Sequence, residues 1–240
     1  MAENLTFTIR KKEKKGFTKS KLKLLVVASA KGETIDDQLN TEFWGKVNKV
    51  KKLENFTAKK NQFLNIYGNV DTFTDDYSPS INRLVIAGIG KRKLFKGDAI
   101  RSFFADFIRQ VNSKKLDSFA IDSDSFGLDI AENAQACAEG LILGSYKFNN
   151  YKSNVKKVTE VNKIIFLGNA DNKSLDKGRV IGLGVNFARD LGNHPPNILT
   201  PTYLANESVK ISKAKNMKST IIDIKEFKKL GLGSFYGVAM

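Results

Sequence analysis

The chain has 240 residues, 41% of them hydrophobic, with 40 Lys and Arg against 25 Asp and Glu and a formal net charge of +15. That length and apolar content exclude a disordered chain, and no apolar run approaches the roughly 20 residues of a membrane span. One cysteine, Cys137, excludes an intramolecular disulfide, and an N-terminus without a charged region followed by an apolar core lacks a secretory signal, so the expected compartment is the cytoplasm.

The basic excess would attract polyanions through long-range fields. The lysines are not gathered in sequence into one stripe interleaved with aromatics, as a nucleic-acid groove requires, so nucleic acid stands only as an alternative partner.

Taken in order, Leu5 to Ile9 alternates apolar and polar residues and predicts a half-buried strand. Arg10 to Lys15, closed by Gly16, reads as a solvated connection. Leu22 to Ala28 is nearly continuous in apolar residues, a strand buried on both faces. Ile35, Leu39, Phe43, Val47 and Val50 recur at helical spacing. Phe63 to Tyr67 reads as a strand, and residues 69–80, with Pro79, as a polar loop.

Arg83 to Gly88 predicts a central strand running into Gly88-Ile89-Gly90-Lys91-Arg92-Lys93. Such a turn can cradle phosphate, but the dinucleotide spacing would place a third glycine where Lys93 stands. A tight strand-to-loop turn accounts for the pattern. Gly97 to Asn112 carries the strongest helix signal, with Ile100, Phe103, Phe104, Phe107, Ile108 and Val111 on one stripe. Ser118 to Asp122 is a short strand followed by Asp124 and Asp129; the later glutamate of a calcium loop is missing, and Asp129 reads as a helix-start charge.

Ile130 to Tyr146 is a small-residue helix with Ala134, Cys137 or Ala138, and Leu141 facing inward. Cys137 within it reads as a buried, inert thiol. Asn162 to Leu167 is another strand. A connecting helix from Lys177 to Leu191 runs through Val180, Leu183, Gly184 and Phe187.

Asn186 to Leu204 then organises the rest. Pro195 and Pro196 forbid helix at His194 to Pro196, while Thr200-Pro201 is a helix start with the hydroxyl at the cap and proline at the first position. The pattern predicts a helix ending near Leu191, an extended crossing and a new helix from Pro201 through Leu204, Ser208 and Ile211. Ser219 to Ile224 reads as a strand and Lys225 to Leu230 as a short helix stopped by Gly231. Gly233 to Met240 starts an apolar element. Strands alternating with helices define the α/β class with a mixed or mostly parallel sheet.

Four segments carry a resemblance: Ala188-Arg-Asp-Leu-Gly-Asn193 with Pro195 to Pro201; Ala134 to Phe148 with Tyr151-Lys-Ser153; Leu84 to Lys91; and Leu230 to Val238. The chain resembles the leucyl (cytosol) aminopeptidases. The resemblance implies a macro-like N-terminal α/β domain with a mixed sheet flanked by helices over residues 1–170. It implies a linking helix over 171–192 and an incomplete second α/β domain, the start of the catalytic one, over 193–240. It further implies homohexamers that remove N-terminal residues from peptides with two divalent metals, zinc or manganese.

The family's metal ligands lie in segments beyond residue 240, so the resemblance places no catalytic, metal or cofactor-binding residue on this chain. A separate catalytic half is then an expected partner, and a regulatory, oligomerisation or DNA-binding module is the alternative. His194 stands where the family has a small or acidic residue, and Gly192 where a branched one is common. The apolar residues Ile221, Ile222, Phe235, Tyr236 and Val238 are expected to lack cover.

Overall fold

The structure is a computed structural model describing residues 5–12, 23–35, 41–67, 82–113, 116–153 and 159–239. Residues 13–16 of the basic run, Leu39 and the loop 69–80 lie outside the described residues, as does the side chain of Phe43. The chain divides into two compact units, residues 1–187 and 188–240.

In the first unit six strands, β1 (Thr6–Arg10), β2 (Leu25–Ala30), β3 (Phe63–Tyr67), β4 (Arg83–Gly90), β5 (Ser118–Asp122) and β6 (Lys163–Leu167), form one sheet in the order β1-β6-β5-β2-β4-β3. Every neighbouring pair is parallel except β3 with β4. This is the mixed α/β sheet that the strand–helix alternation predicts. Its parallel strands present their carboxyl ends at one edge, where open α/β sheets bind ligands.

Period-2 alternation sorts the strand side chains onto two cores. Val26, Ala28, Val85, Phe119, Ile121, Ile164 and Phe166 face one core, under α2 (Asp98–Asn112) and α4 (Ala131–Gly144). Leu25, Val27, Leu84, Ile86, Ala120, Ile165 and Leu167 face the other, with Trp44 and Val47 of α1 (Thr41–Leu53). The helical spacing from Ile35 begins too early: Ile35 precedes α1, and its backbone N–H and C=O are both hydrogen-bonded by the Asn48 side chain. All six residues of the stripe read for α2 are buried. Ala134, Cys137, Ala138 and Leu141 of α4 are buried as well.

The last helix of the unit, α5 (Asn172–Asn193), starts earlier than its apolar spacing suggests, because the Asp171 carboxylate accepts the Ser174 N–H at 2.8 Å. It also turns a different face inward. Leu175, Gly178, Gly182 and Asn186 are buried, whereas Val180 and Phe187 are exposed. A Cβ on Gly178 would collide with the Gln135 carbonyl, and one on Gly182 with the Ile142 side chain. Close backbone approach to α4 therefore selects small residues, and Asn186 donates its amide to the Ile142 carbonyl at 3.1 Å.

The second unit contains α6 (Pro201–Ala214), α7 (Ile224–Lys229) and α8 (Gly233–Ala239), after the short four-residue α3 (Ser123–Phe126) of the first. Thr200 caps α6 by accepting the Tyr203 N–H at 3.2 Å, with proline at the first position. The crossing before it is turned, not extended: the Pro195 carbonyl accepts the N–H groups of both Ile198 and Leu199. Ser219 to Asp223 forms no strand. A strand needs a ladder partner, and Asp223 with Glu226 instead makes a reciprocal capping box that opens α7 at Ile224. Ile221, Ile222, Phe235 and Val238 are all exposed, Val238 at 91%.

Candidate functional site

Chemistry-bearing residues concentrate at the carboxyl edge of the sheet, and the glycine-bearing end of β4 is closed there by the protein's own backbone. Gly88 N–H donates to the Gln62 carbonyl and Gly90 N–H to the Ala58 carbonyl, at 2.7 and 2.9 Å. A Cβ on Gly88 would collide with the Lys59 carbonyl oxygen. The donors that could cradle phosphate are therefore spent on loop 54–62.

At the ends of β1, β5 and β6 the structure brings together residues far apart in sequence. Lys12 Nζ lies 2.8 Å from Asp122 Oδ1 and 2.9 Å from Asp124 Oδ2, with the Lys12 side chain only 12% exposed and that of Asp122 5%. Asp124 also accepts the backbone N–H of Asn169 at 2.9 Å. Asp122 caps α3 through Ser125. Lys12 is thus no part of a solvated turn, as the sequence suggests. It is the internal counter-ion of the aspartate pair that follows β5. Asp129 takes no share: it is exposed, and Ile130, the cap of α4, makes no side-chain cap hydrogen bond.

Burial disfavours the charge on Lys12, yet the two carboxylates outweigh it and hold its pKa above the ordinary value. For Asp124, burial is likewise overcome by the Asn169 N–H and Lys12, which leave its pKa depressed. Burial dominates at Asp122 and pushes its pKa up against the pull of Lys12. Burial also drives the Cys137 thiol well up, so this residue is no nucleophile.

Beyond β2, an open cavity of about 240 Å³ is walled by the end of that strand, the last turns of α1 and loop 54–62. Lys51 reaches into this region at 8% exposure; its Nζ donates to Ser29 Oγ at 2.8 Å and to the Glu33 carbonyl at 3.2 Å. Desolvation lowers the Lys51 pKa, and the nearby Glu33 carboxylate opposes that shift. That carboxylate is gripped by Arg92 through Nε and a terminal nitrogen, the latter at 2.7 Å, and Arg92 also donates to the Ser125 carbonyl at 2.9 Å. Neither Lys12 nor Lys51 was legible as buried, because each sits among lysines in sequence.

In the second unit, the His194 ring packs on Tyr203 with centroids 5.7 Å apart, and the His194 backbone N–H caps α5 by donating to the Asp190 carbonyl. Among the described residues, no three His, Cys, Asp or Glu side chains gather where they could hold a metal. The Asp122–Asp124 pair has its open side filled by the Lys12 ammonium, so these described side chains do not fit a two-metal centre.

The six-stranded mixed sheet flanked by helices defines the class as an α/β protein. Residues 24–155 match the cytosol aminopeptidase family N-terminal domain and residues 186–240 match that family's catalytic domain. The chain belongs to the cytosol aminopeptidase family.

It is 32% identical over 216 residues to a probable cytosol aminopeptidase of Sulfurihydrogenibium sp., covering 86% of this chain and 40% of that relative. Against the probable cytosol aminopeptidase of Aquifex aeolicus, identity is 26% over 193 residues, covering 80% of this chain and 38% of the relative. The chain therefore spans about two fifths of the length of these relatives. A mutant of tomato leucine aminopeptidase shares the fold with a TM-score of 0.69 at 22% identity, over 95% of this chain and 46% of that one. The bottromycin maturation enzyme BotP in complex with Mn gives 0.57 at 19%, over 80% and 36%.

Proposed function

We propose that residues 1–170 are the N-terminal domain, 171–192 a linking helix and 193–240 the opening of the catalytic domain of a cytoplasmic, hexameric, metal-dependent aminopeptidase. The observation that carries this reading is the pair of family matches, 24–155 and 186–240, in that order on one chain. In the complete enzyme two divalent metals, zinc or manganese, would polarise the peptide carbonyl and activate water. On this reading the residues that hold them belong to the rest of the catalytic domain, the contribution of residues 1–240 is architectural, and the polypeptide alone is expected to be inactive.

Purified 1–240 protein is expected to release no product from a leucyl anilide with added manganese. Chelator-sensitive turnover that co-purifies with this polypeptide would overturn the reading. Adding a polypeptide that carries the metal-ligand half should restore hydrolysis if the two parts assemble.

A DNA-binding role has one observation in its favour. Exposed Lys31, Lys59, Lys60, Lys91, Arg92 and Lys93 converge on the β2–β4 edge, where Lys31 N–H donates to the Gly90 carbonyl and Gly90 N–H to that of Ala58. Electrostatic binding is strongest at low salt, and raising salt from about 50 to 200 mM should weaken it by about a thousandfold if six phosphates are neutralised. No retention of duplex DNA at low salt would dismiss that role.

A further inference from the structure

Among the described residues, the buried ammonium of Lys51 beside this cavity makes no salt bridge, although the Glu33 carboxylate lies near enough to act on it. Buried cations are normally paired, because removing an ammonium from water is costly unless an anion compensates it. Lys51 is 8% exposed, and its Nζ donates to two neutral oxygens, Ser29 Oγ and the Glu33 carbonyl, and lies 5.8 Å from the centroid of the Phe56 ring. The Glu33 carboxylate is turned to the Arg92 guanidinium. Among the described residues, these hydrogen bonds use two of the three N–H groups of the ammonium.

Three further observations meet at this place. The cavity opens beyond the carboxyl end of β2, a strand in the interior of the sheet, and open α/β sheets bind ligands outside the carboxyl ends of their strands. Its wall includes Ala58, which is buried yet holds a φ of +54°, in a loop where Asn55 and Asn61 also have positive φ. Strain of this kind persists where the surroundings over-determine it, and it clusters at ligand sites. The apolar walls come from Ala30, Phe56 and Ala58.

We propose that this cavity is a binding site for a small organic monocarboxylate, its head on Lys51 Nζ and its apolar body against Phe56 and Ala58. An open cavity of about 240 Å³ has room for a small organic acid. The lining carries the Lys51 and Lys52 ammoniums and the Glu33 carboxylate, a net positive charge of one that a single negative charge matches. Binding would also offset the desolvation that lowers the Lys51 pKa. This site is independent of the peptidase reading, since it needs neither metal nor catalytic half.

The probe is 4-methylpentanoate, with 4-methylpentanamide as the uncharged isostere and inorganic phosphate as the competing anion, titrated into the 1–240 protein and followed by backbone amide shifts. Saturable shifts at Gly32, Thr34, Asn48 and Thr57 are expected with the carboxylate, with about tenfold or weaker affinity for the amide. Lys51→Met keeps the length and apolar stem and should reduce carboxylate affinity by about tenfold or more. Equal binding of amide and carboxylate overturns the proposal, as do shifts confined to another surface, preferential binding of phosphate, or no saturable shift at tens of millimolar. Should the variant fail to fold, the amide comparison and the shift map on the unaltered protein decide the matter alone.

Discussion

Replacing Phe103 by alanine is expected to destabilise the 1–187 unit by about 4 kcal/mol. The ring is 1% exposed and lies at the centre of an aromatic cluster. Its centroid is 5.1 Å from that of Phe104, 5.5 Å from Phe126, 5.6 Å from Phe95, and 6.0 Å from both Phe63 and Phe107. Those neighbours come from β3, the turn after β4, α2 itself and α3, so truncation opens a void bounded by four separate segments. Collapse into that void would require all of them to move together, which places the cost at the upper end of the Phe→Ala range. Phe103→Leu retains most of the volume and should cost less than about 1.5 kcal/mol. Urea unfolding followed by Trp44, the single tryptophan and 1% exposed on the opposite core, measures both. A loss below about 1 kcal/mol for the alanine variant would mean that the cluster repacks around the gap.

The same helix shows what a sequence discloses readily. In α2 large apolar residues return every three or four positions, and all six of that stripe are buried. In α5 the rule inverts. Val180 and Phe187 face out, Leu183 of the same stripe is only half-buried against the core, and the buried face joins Leu175 to Gly178, Gly182 and Asn186, set by contact with α4 and by a hydrogen bond to the Ile142 carbonyl. Nothing in hydrophobic spacing marks a glycine as the contact residue. At Ile221-Ile222-Asp223-Ile224 β-branched propensity pointed to a strand, while the Asp223–Glu226 capping spacing, equally present in the sequence, proved the stronger local signal. Propensity for a strand is realised only through cross-strand partners, whereas a cap is satisfied within four residues. The helix start at the junction was legible because proline and threonine fix backbone geometry locally, and Thr200 caps α6 in the way that pattern requires.

The candidate site was the least legible part, because its members act through burial that charge runs conceal. Lys12→Met tests this directly and is expected to cost about 3 kcal/mol near pH 7, since it leaves the buried Asp122 carboxylate without its cation. The pH dependence separates that cause from lost packing. In the unaltered protein the Lys12 pKa is raised above 10.5, so its contribution is complete below that pH and disappears as pH climbs through the folded value. Asp124 is depressed below 3.8, so its contribution is complete above 3.8 and disappears as pH falls through its folded value. Asp122 runs the other way: burial lifts its pKa above 3.8, and removing Lys12 lifts it further, so protonation relieves the variant on acidification. The stability gap between Lys12→Met and the unaltered protein should therefore narrow steadily from pH 7 towards pH 4. Adding Asp122→Asn should recover most of the loss at pH 7, because asparagine still caps α3 through the Ser125 N–H and carries no charge to compensate. A gap that stays constant between pH 4 and pH 8, or a double variant no better than the single, would assign Lys12 to packing alone. The narrowing gap with rescue would instead establish the Lys12–Asp122–Asp124 group as the electrostatic tie between the ends of β1 and β5.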